Sequence, residues 1–191
     1  MGKLEVVCVT ANAGKWAVMQ GTLGDLLELR QVPVETPEIQ SLDVEEIALF
    51  SARWAARELG KSVLKSDVGY YVAALGGFPG PLVKWINQTL VSEQILAMMA
   101  GVEDRRVVLR EALAYAEPDG FAMVATVERP GIVSREVYPL EPVTNSVFDR
   151  IMVEDALGKP FIATTMEERV AYWIRVHREV YRGLGRRILA R

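Results

Sequence analysis

Three features of the chain predict an α/β fold. A nearly all-apolar run, Leu4 to Thr10, opens onto a polar turn, Ala11 to Gly14, and then onto apolar residues at helical spacing. A second strand-like run and a second amphipathic helix pattern follow it. In the middle of the chain an Asp119-Gly120 pair separates two β-like runs, which marks a hairpin. Half of the 191 residues are apolar, enough for one domain spanning 1–191 to bury a large core, as a large lobe with a smaller one attached.

The elements follow in order. Leu4 to Thr10 reads as a strand covered on both faces. After it, Trp16, Met19, Leu23, Leu26 and Leu27 define a helix that Gly21 and Gly24 weaken. Leu29 to Val34 is a second strand, and Pro37-Glu38-Ile39-Gln40 an extended loop. Asp43 and Glu46 have capping-box spacing ahead of Val44, Ile47, Ala48, Ser51, Ala55 and Leu59, a helix that Gly60 closes. Ser62 to Ser66 is a short strand with Asp67 at its far end, and Val68 to Leu75 reads as a second strand or a bend into one. Leu82 to Ala100 reads as one helix. Arg105 to Tyr115 and Phe121 to Val127 form the hairpin, with Ile132 to Tyr138 extending the meander. Phe148 to Val153 is a short apolar segment, and Met166 to Leu189 a long terminal helix.

Composition narrows the functional classes. With 22 Lys and Arg against 25 Asp and Glu, the net charge of -3 offers no broad attraction for nucleic acid. The single cysteine, Cys8, lies inside an apolar run and reads as a small buried filler, so no intramolecular disulfide is expected. No apolar stretch approaches the roughly 20 residues of a membrane helix, and the start lacks a signal-peptide core. The expected location is cytoplasmic. One histidine and one cysteine rule out a conventional structural zinc site.

Two stretches carry chemistry. Backbone amides at a helix start hold anions, and in Thr10-Ala11-Asn12-Ala13-Gly14-Lys15, Asn12 adds a donor and Lys15 a charge. The spacing is not that of a P-loop: the glycine expected five places before Gly14 is Val9, and Trp16 follows the lysine. The same turn also fits a purely structural role. An acid at the carboxyl end of a parallel strand, as Asp67 is expected to be, points to where α/β proteins bind ligands, or else caps the turn that follows. Mg²⁺ takes one or two carboxylates together with nucleotide phosphates, so Asp67 and Glu38 are candidate metal ligands. Arginines on the last helix, Arg175 to Arg191, read as a solvated basic face or as phosphate contacts.

These stretches resemble the inosine/xanthosine triphosphate pyrophosphatase family. Thr10 to Lys15 is similar to its T-x-N-x-x-K opening, and Pro37-Glu38-Ile39-Gln40 to its P-E-I-Q-like loop. Asp67 through Leu75-Gly76-Gly77-Phe78-Pro79-Gly80-Pro81 and Lys84-Trp85 is the nearest match. The resemblance implies an elongated α/β fold with a central mixed sheet flanked by helices, two lobes with a cleft between them, a homodimer and Mg²⁺ dependence. It implies hydrolysis of non-standard purine nucleoside triphosphates (ITP, dITP, XTP) to monophosphate and pyrophosphate. Thr10, Asn12 and Lys15 would hold phosphates, and Glu38 and Asp67 the metal, with Asp67 also activating water. Phe148-Asp149 resembles an aromatic-Asp pair that packs on and positions the base, and Arg169 stands where a base-side lysine is expected. Without a gap the family's Ser-His-Arg falls on Trp173-Ile174-Arg175, whereas a shift of three residues gives Val176-His177-Arg178, which would make His177 and Arg178 substrate contacts.

The departures are chemical. A glutamate expected three places after Lys15 is Val18, a lysine of the second helix is replaced near Ser51, and the acid before Asp67 is Ser66. A lost phosphate-facing cation costs charge-assisted hydrogen bonds of roughly 1.5–3 kcal/mol each. The alternative function is therefore a catalytically weakened member that binds nucleotide or serves as a scaffold, and a third is a pyrophosphatase for modified pyrimidine nucleotides.

Overall fold

The computed structural model describes residues 2–141 and 144–191. The chain runs β1 (Glu5–Val9), α1 (Ala13–Leu23), β2 (Glu28–Val32), α2 (Val44–Leu59), β3 (Val63–Val72), β4 (Pro79–Gly80), α3 (Val83–Thr89) and α4 (Ser92–Met98). It continues with β5 (Arg106–Ala116), β6 (Ala122–Val133), β7 (Met152–Glu154) and α5 (Met166–Leu189). The strands form one mixed sheet in the order β2-β1-β3-β5-β6-β7, with β4 paired to β3. β1 is parallel to β2 and β3, and β4 and β7 are antiparallel to their neighbours. The α/β class is the one the sequence pattern predicts, and the mixed sheet the one the resemblance implies.

Two units divide these elements. The first comprises the chain up to Asp67, Glu111–Val127 and Val170–Arg191, and the second Val68–Arg110 and Glu128–Arg169.

Strand alternation gives the first unit a core on each sheet face. Val6, Cys8, Leu64 and Leu113 point to α1 and α5, where Met19, Leu23, Tyr181 and Leu184 cover them. Val7, Val9, Val63, Ala112 and Ala114 point to Ala48, Ala52 and Ala55 of α2. Glycines let α1 lie close to α5. A Cβ at Gly21 would stand 2.5 Å from Ile174 Cδ1, and one at Gly185 2.8 Å from Leu23 Cδ2. The core of the second unit gathers Tyr70, Val72, Val83, Ile95, Leu109, Val133 and Phe148.

Four local expectations change. Asp67 does not end a strand: β3 continues through it to Val72, because Tyr70 and Val72 keep the buried alternation that Leu64 and Ser66 began. The 82–100 segment is two helices. Leu90 and Val91 are extended, Gln94 Oε1 accepts the Val91 N–H at 2.9 Å, and the buried Ser92 hydroxyl donates to the Val147 carbonyl at 2.7 Å. At α2 no reciprocal box forms. Asp43 caps the Glu45 N–H, while Glu46 accepts the Ser41 hydroxyl, which itself accepts the Asp43 N–H. After the Asp119-Gly120 turn β6 runs unbroken to Val133, and the meander continues into β7 instead of 132–138.

The glycine-proline corner folds back because Gly69 has no side chain. A Cβ there would lie 2.8 Å from the Gly80 carbonyl carbon and 2.9 Å from Pro81 N.

Two outcomes follow. A Cβ at Gly131, opposite Glu154, would strike the Val153 carbonyl and come within 3.1 Å of Glu154 Cα, both backbone atoms that cannot yield. Gly131→Ala should cost about 3 kcal/mol in urea unfolding, and a loss within error of zero would contradict the tight β6–β7 approach. Cys8 is fully buried, and burial pushes its thiol up to about 12. The reactive thiolate is scarce below that value, so iodoacetamide at pH 8–9 should label it only after denaturation.

Candidate functional site

In the first unit the turn between β1 and α1 is built by its own side chains. Asn12 caps α1, its Oδ1 accepting the Lys15 N–H at 3.0 Å, and Thr10 Oγ1 accepts the Asn12 N–H at 3.0 Å. The Thr10 amide donates to the Val32 carbonyl at 3.2 Å, and its carbonyl accepts from the Gln31 side chain at 3.1 Å. Lys15 reaches across to β3, where its Nζ donates to the Ser66 carbonyl at 3.0 Å. One of its three donors is spent there. Thr10, Asn12 and Lys15 are thereby brought beside the peptide that precedes Asp67.

Asp67 is half-buried, three residues beyond the last β1–β3 pair, Cys8↔Leu64. Glu38 is exposed in the irregular segment between β2 and α2. The Ser51 hydroxyl of α2 donates to the Pro37 carbonyl at 3.1 Å and ties that segment down. Ser66 is 3% exposed, and its hydroxyl makes no hydrogen bond among the described residues.

α5 forms the wall behind the turn. A Cβ at Gly14 would lie 3.2 Å from Trp173 Cζ3, so the indole packs directly on the turn backbone. One helical turn further, His177 is fully buried. Its Nδ1 lies 2.7 Å from the Trp173 carbonyl and its Nε2 3.1 Å from Glu111 Oε2 on β5. Arg178 beside it is exposed, Arg182 pairs with Asp25 at 2.7 Å, and Arg191 with Glu117 at 2.9 Å.

In the second unit Phe148, Asp149 and Arg169 come together, all buried. The Arg169 guanidinium donates to Asp149 Oδ2 at 2.7 Å, Thr164 Oγ1 at 2.8 Å and the Phe161 carbonyl at 2.6 Å. Asp149 Oδ2 also accepts the Thr144 hydroxyl at 2.9 Å. Phe148 stacks on Tyr70, with centroids 4.5 Å apart and planes 12° from parallel. Burial, with the Asp149 carboxylate adding to it, pushes the Tyr70 phenol up, so it remains protonated. A second buried ion pair, Arg129–Glu154 at 3.3 Å, belongs to the same unit.

The sequence reading missed Glu111, Arg129, Glu154 and Tyr70. Glu111 and Arg129 carried a signal: each stands in a strand at the alternate position shared with buried neighbours, Leu109 and Leu113 or Val127 and Val133. A groove of about 600 Å³ beside α2, lined by Ile39, Leu49, Phe50, Arg53, Trp54 and Arg57, holds none of the expected site residues.

Fold and site define a mixed-sheet α/β protein whose first strand-turn-helix sets an asparagine cap and a lysine beside the strand that carries Asp67. The chain belongs to the Ham1 family, whose sequence model matches residues 6–176. It is 31% identical over 167 residues to a protein named dITP/XTP pyrophosphatase from Methanopyrus kandleri, covering 87% of each chain. A dITP/XTP pyrophosphatase from Methanosarcina acetivorans is 33% identical over 134 residues, covering 70% of this chain and 71% of its own. The fold matches a HAM1 protein of Coxiella burnetii with a TM-score of 0.77 at 23% identity, covering 98% and 100% of the two chains.

Arg169 and Asp149 have side chains 1% and 4% exposed. Replacing Arg169 by Met strands a buried carboxylate and should cost about 3–5 kcal/mol by urea denaturation; a change under 1 kcal/mol would show the pair to be solvated.

Proposed function

We propose that this protein hydrolyses non-standard purine nucleoside triphosphates to the monophosphate and pyrophosphate. The observation that carries the reading is the turn at Thr10 to Lys15, capped by Asn12 and tied through Lys15 to the peptide next to Asp67. The names of the relatives supply the substrate class.

Asp67 and Glu38 offer the hard carboxylate oxygens that Mg²⁺ takes. Mg²⁺ is commonly held by one or two carboxylates together with substrate phosphates and waters. When bound, Mg²⁺ would neutralise phosphate charge and polarise the phosphoryl group. The remaining donors of Lys15 and the amides at the start of α1 hold phosphate oxygens. Asp67 orients the attacking water and takes its proton as the water oxygen bonds to phosphorus. The α–β phosphoanhydride bond breaks and pyrophosphate leaves with the bonding pair. Phe148, Asp149, Arg169, His177 and Arg178 are the residues the resemblance assigns to the substrate; of these Arg178 is exposed, while the others are buried and Arg169 is paired with Asp149. The protein works as a homodimer in the cytoplasm, the state and compartment that the resemblance and composition imply.

A second reading, a weakened member that binds nucleotide or keeps the scaffold, is favoured by the fate of the replaced residues. Val18 is in the core, and Ser51 and Ser66 are buried, so none supplies a charge.

Pyrophosphate release from ITP, XTP, dITP, GTP, ATP and pyrimidine triphosphates, with and without Mg²⁺, separates these readings. The expected result is metal-dependent release favouring ITP or XTP, with kcat lowered by about 10²–10⁴ in Asp67→Asn. Folded wild type that releases none from any substrate would sink the enzyme reading, and tight nucleotide binding without turnover would favour the second.

A further inference from the structure

Glu111 stands on β5 at a position facing α5, in a stretch otherwise apolar on that face. It meets His177, and both belong to the first unit. The proton arrangement follows from the partners. The Trp173 carbonyl can only accept, so Nδ1 carries a hydrogen. Nε2 facing a carboxyl group then either donates to the carboxylate or accepts from the protonated acid, and in both cases the pair is neutral overall with every facing donor matched.

This contact ties the Trp173–His177 turn of α5 to the sheet. From the same turn, Trp173 rests on Gly14 and Ile174 on Gly21, where an added Cβ would lie 3.2 Å from the indole and 2.5 Å from Ile174 Cδ1. Gly14 lies between Asn12 and Lys15, the residues whose hydrogen bonds shape the phosphate turn.

We propose that Glu111 is a positioning residue for phosphate binding: by anchoring His177 to β5 it sets the depth of α5, and so the surface on which the β1–α1 turn is held. It rests on the pyrophosphatase reading for its substrate, but the geometry concerns only the turn. A small displacement of binding groups is costly in binding terms, and the effect falls on substrate affinity more than on the chemical step.

The test compares Glu111→Leu, Glu111→Gln and the double variant Glu111→Leu/His177→Leu with wild type, all checked for folding by circular dichroism and melting. Gln keeps the size and can donate its amide hydrogen to Nε2, so geometry survives without the charge. The double variant replaces the buried polar pair with apolar groups, an exchange that often leaves stability unchanged. Glu111→Leu should raise KM for the triphosphate and the Kd for inorganic tripolyphosphate about tenfold, with kcat within about twofold. Glu111→Gln should stay within about twofold of wild type in all three, and the double variant should bind as weakly as Glu111→Leu. Unchanged KM and Kd in folded Glu111→Leu, or equal loss in Leu and Gln variants, would overturn the proposal. If wild type turns over no triphosphate, hydrogen exchange at the Lys15 and Trp16 amides, which donate to Asn12, still decides: faster exchange in Glu111→Leu but not Glu111→Gln supports it, and unchanged exchange overturns it.

Discussion

The first unit depends on the close approach of α1 to α5 that Gly14, Gly21 and Gly185 permit. Glycines in a helix cost about 0.5–1 kcal/mol each relative to alanine, and α1 carries two of these within its eleven residues. Intrinsic propensity therefore does not place this helix. Its position comes from Trp173 and Ile174, which fill the space that side chains at Gly14 and Gly21 would have taken, and from Leu23 and Leu26, which do the same at Gly185. The turn ahead of it is then fixed on three sides: by the Thr10 bonds to β2, by Lys15 on the Ser66 carbonyl and by the Trp173 indole. Turn amides held rigidly in this way bind an anion without the entropy of ordering them first.

The second unit uses a different constraint. Two arginine-carboxylate pairs, Arg169–Asp149 and Arg129–Glu154, are nearly or fully buried. Desolvation offsets much of their Coulomb attraction, and apolar replacements of similar volume are often as stable. What such pairs add is geometry. Arg169 draws Asp149, Thr164 and the Phe161 carbonyl onto one planar group, which joins the 144–150 segment to the turn before α5. The Tyr70–Phe148 stack, the bond from the Val147 N–H to Asn87 Oδ1 and the one from the Ser92 hydroxyl to the Val147 carbonyl hold that segment from the other side.

What the sequence disclosed and what it hid divide along the range of the interactions. β1, α2 and the hairpin are written in local patterns: an apolar run, Asp43 ahead of a helical stripe closed by left-handed Gly60, and Asp119-Gly120. The Asn12 cap is local too, since it links residues three apart. The break at Leu90-Val91 was hidden because Leu90, Ile95, Leu96 and Met99 keep helical spacing through it, while a long-range bond from Ser92 to Val147 sets it. Asp67 reads as a strand end because three polar residues, Lys65-Ser66-Asp67, interrupt an apolar run, yet pairing with β4 carries the strand onward. The resemblance named Phe148, Asp149 and Arg169, but not their mutual saturation, which needs partners 5 to 20 residues apart in the chain.

His177 and Arg178 are adjacent in sequence and opposite in availability. Both ring nitrogens of His177 are engaged by protein groups and no part of the ring reaches solvent, so a hydrogen bond from it to a nucleobase would require breaking the contact with Glu111 or with the Trp173 carbonyl. Either loss leaves a buried polar group unsatisfied, at about 1–3 kcal/mol. Arg178 is exposed and free of any ion pair among the described residues. Its guanidinium has five donors in a planar fork suited to a phosphate or a purine edge, and using them costs no internal bond. Of this pair, the arginine keeps its donors open to solvent, and the histidine holds its helix turn to β5.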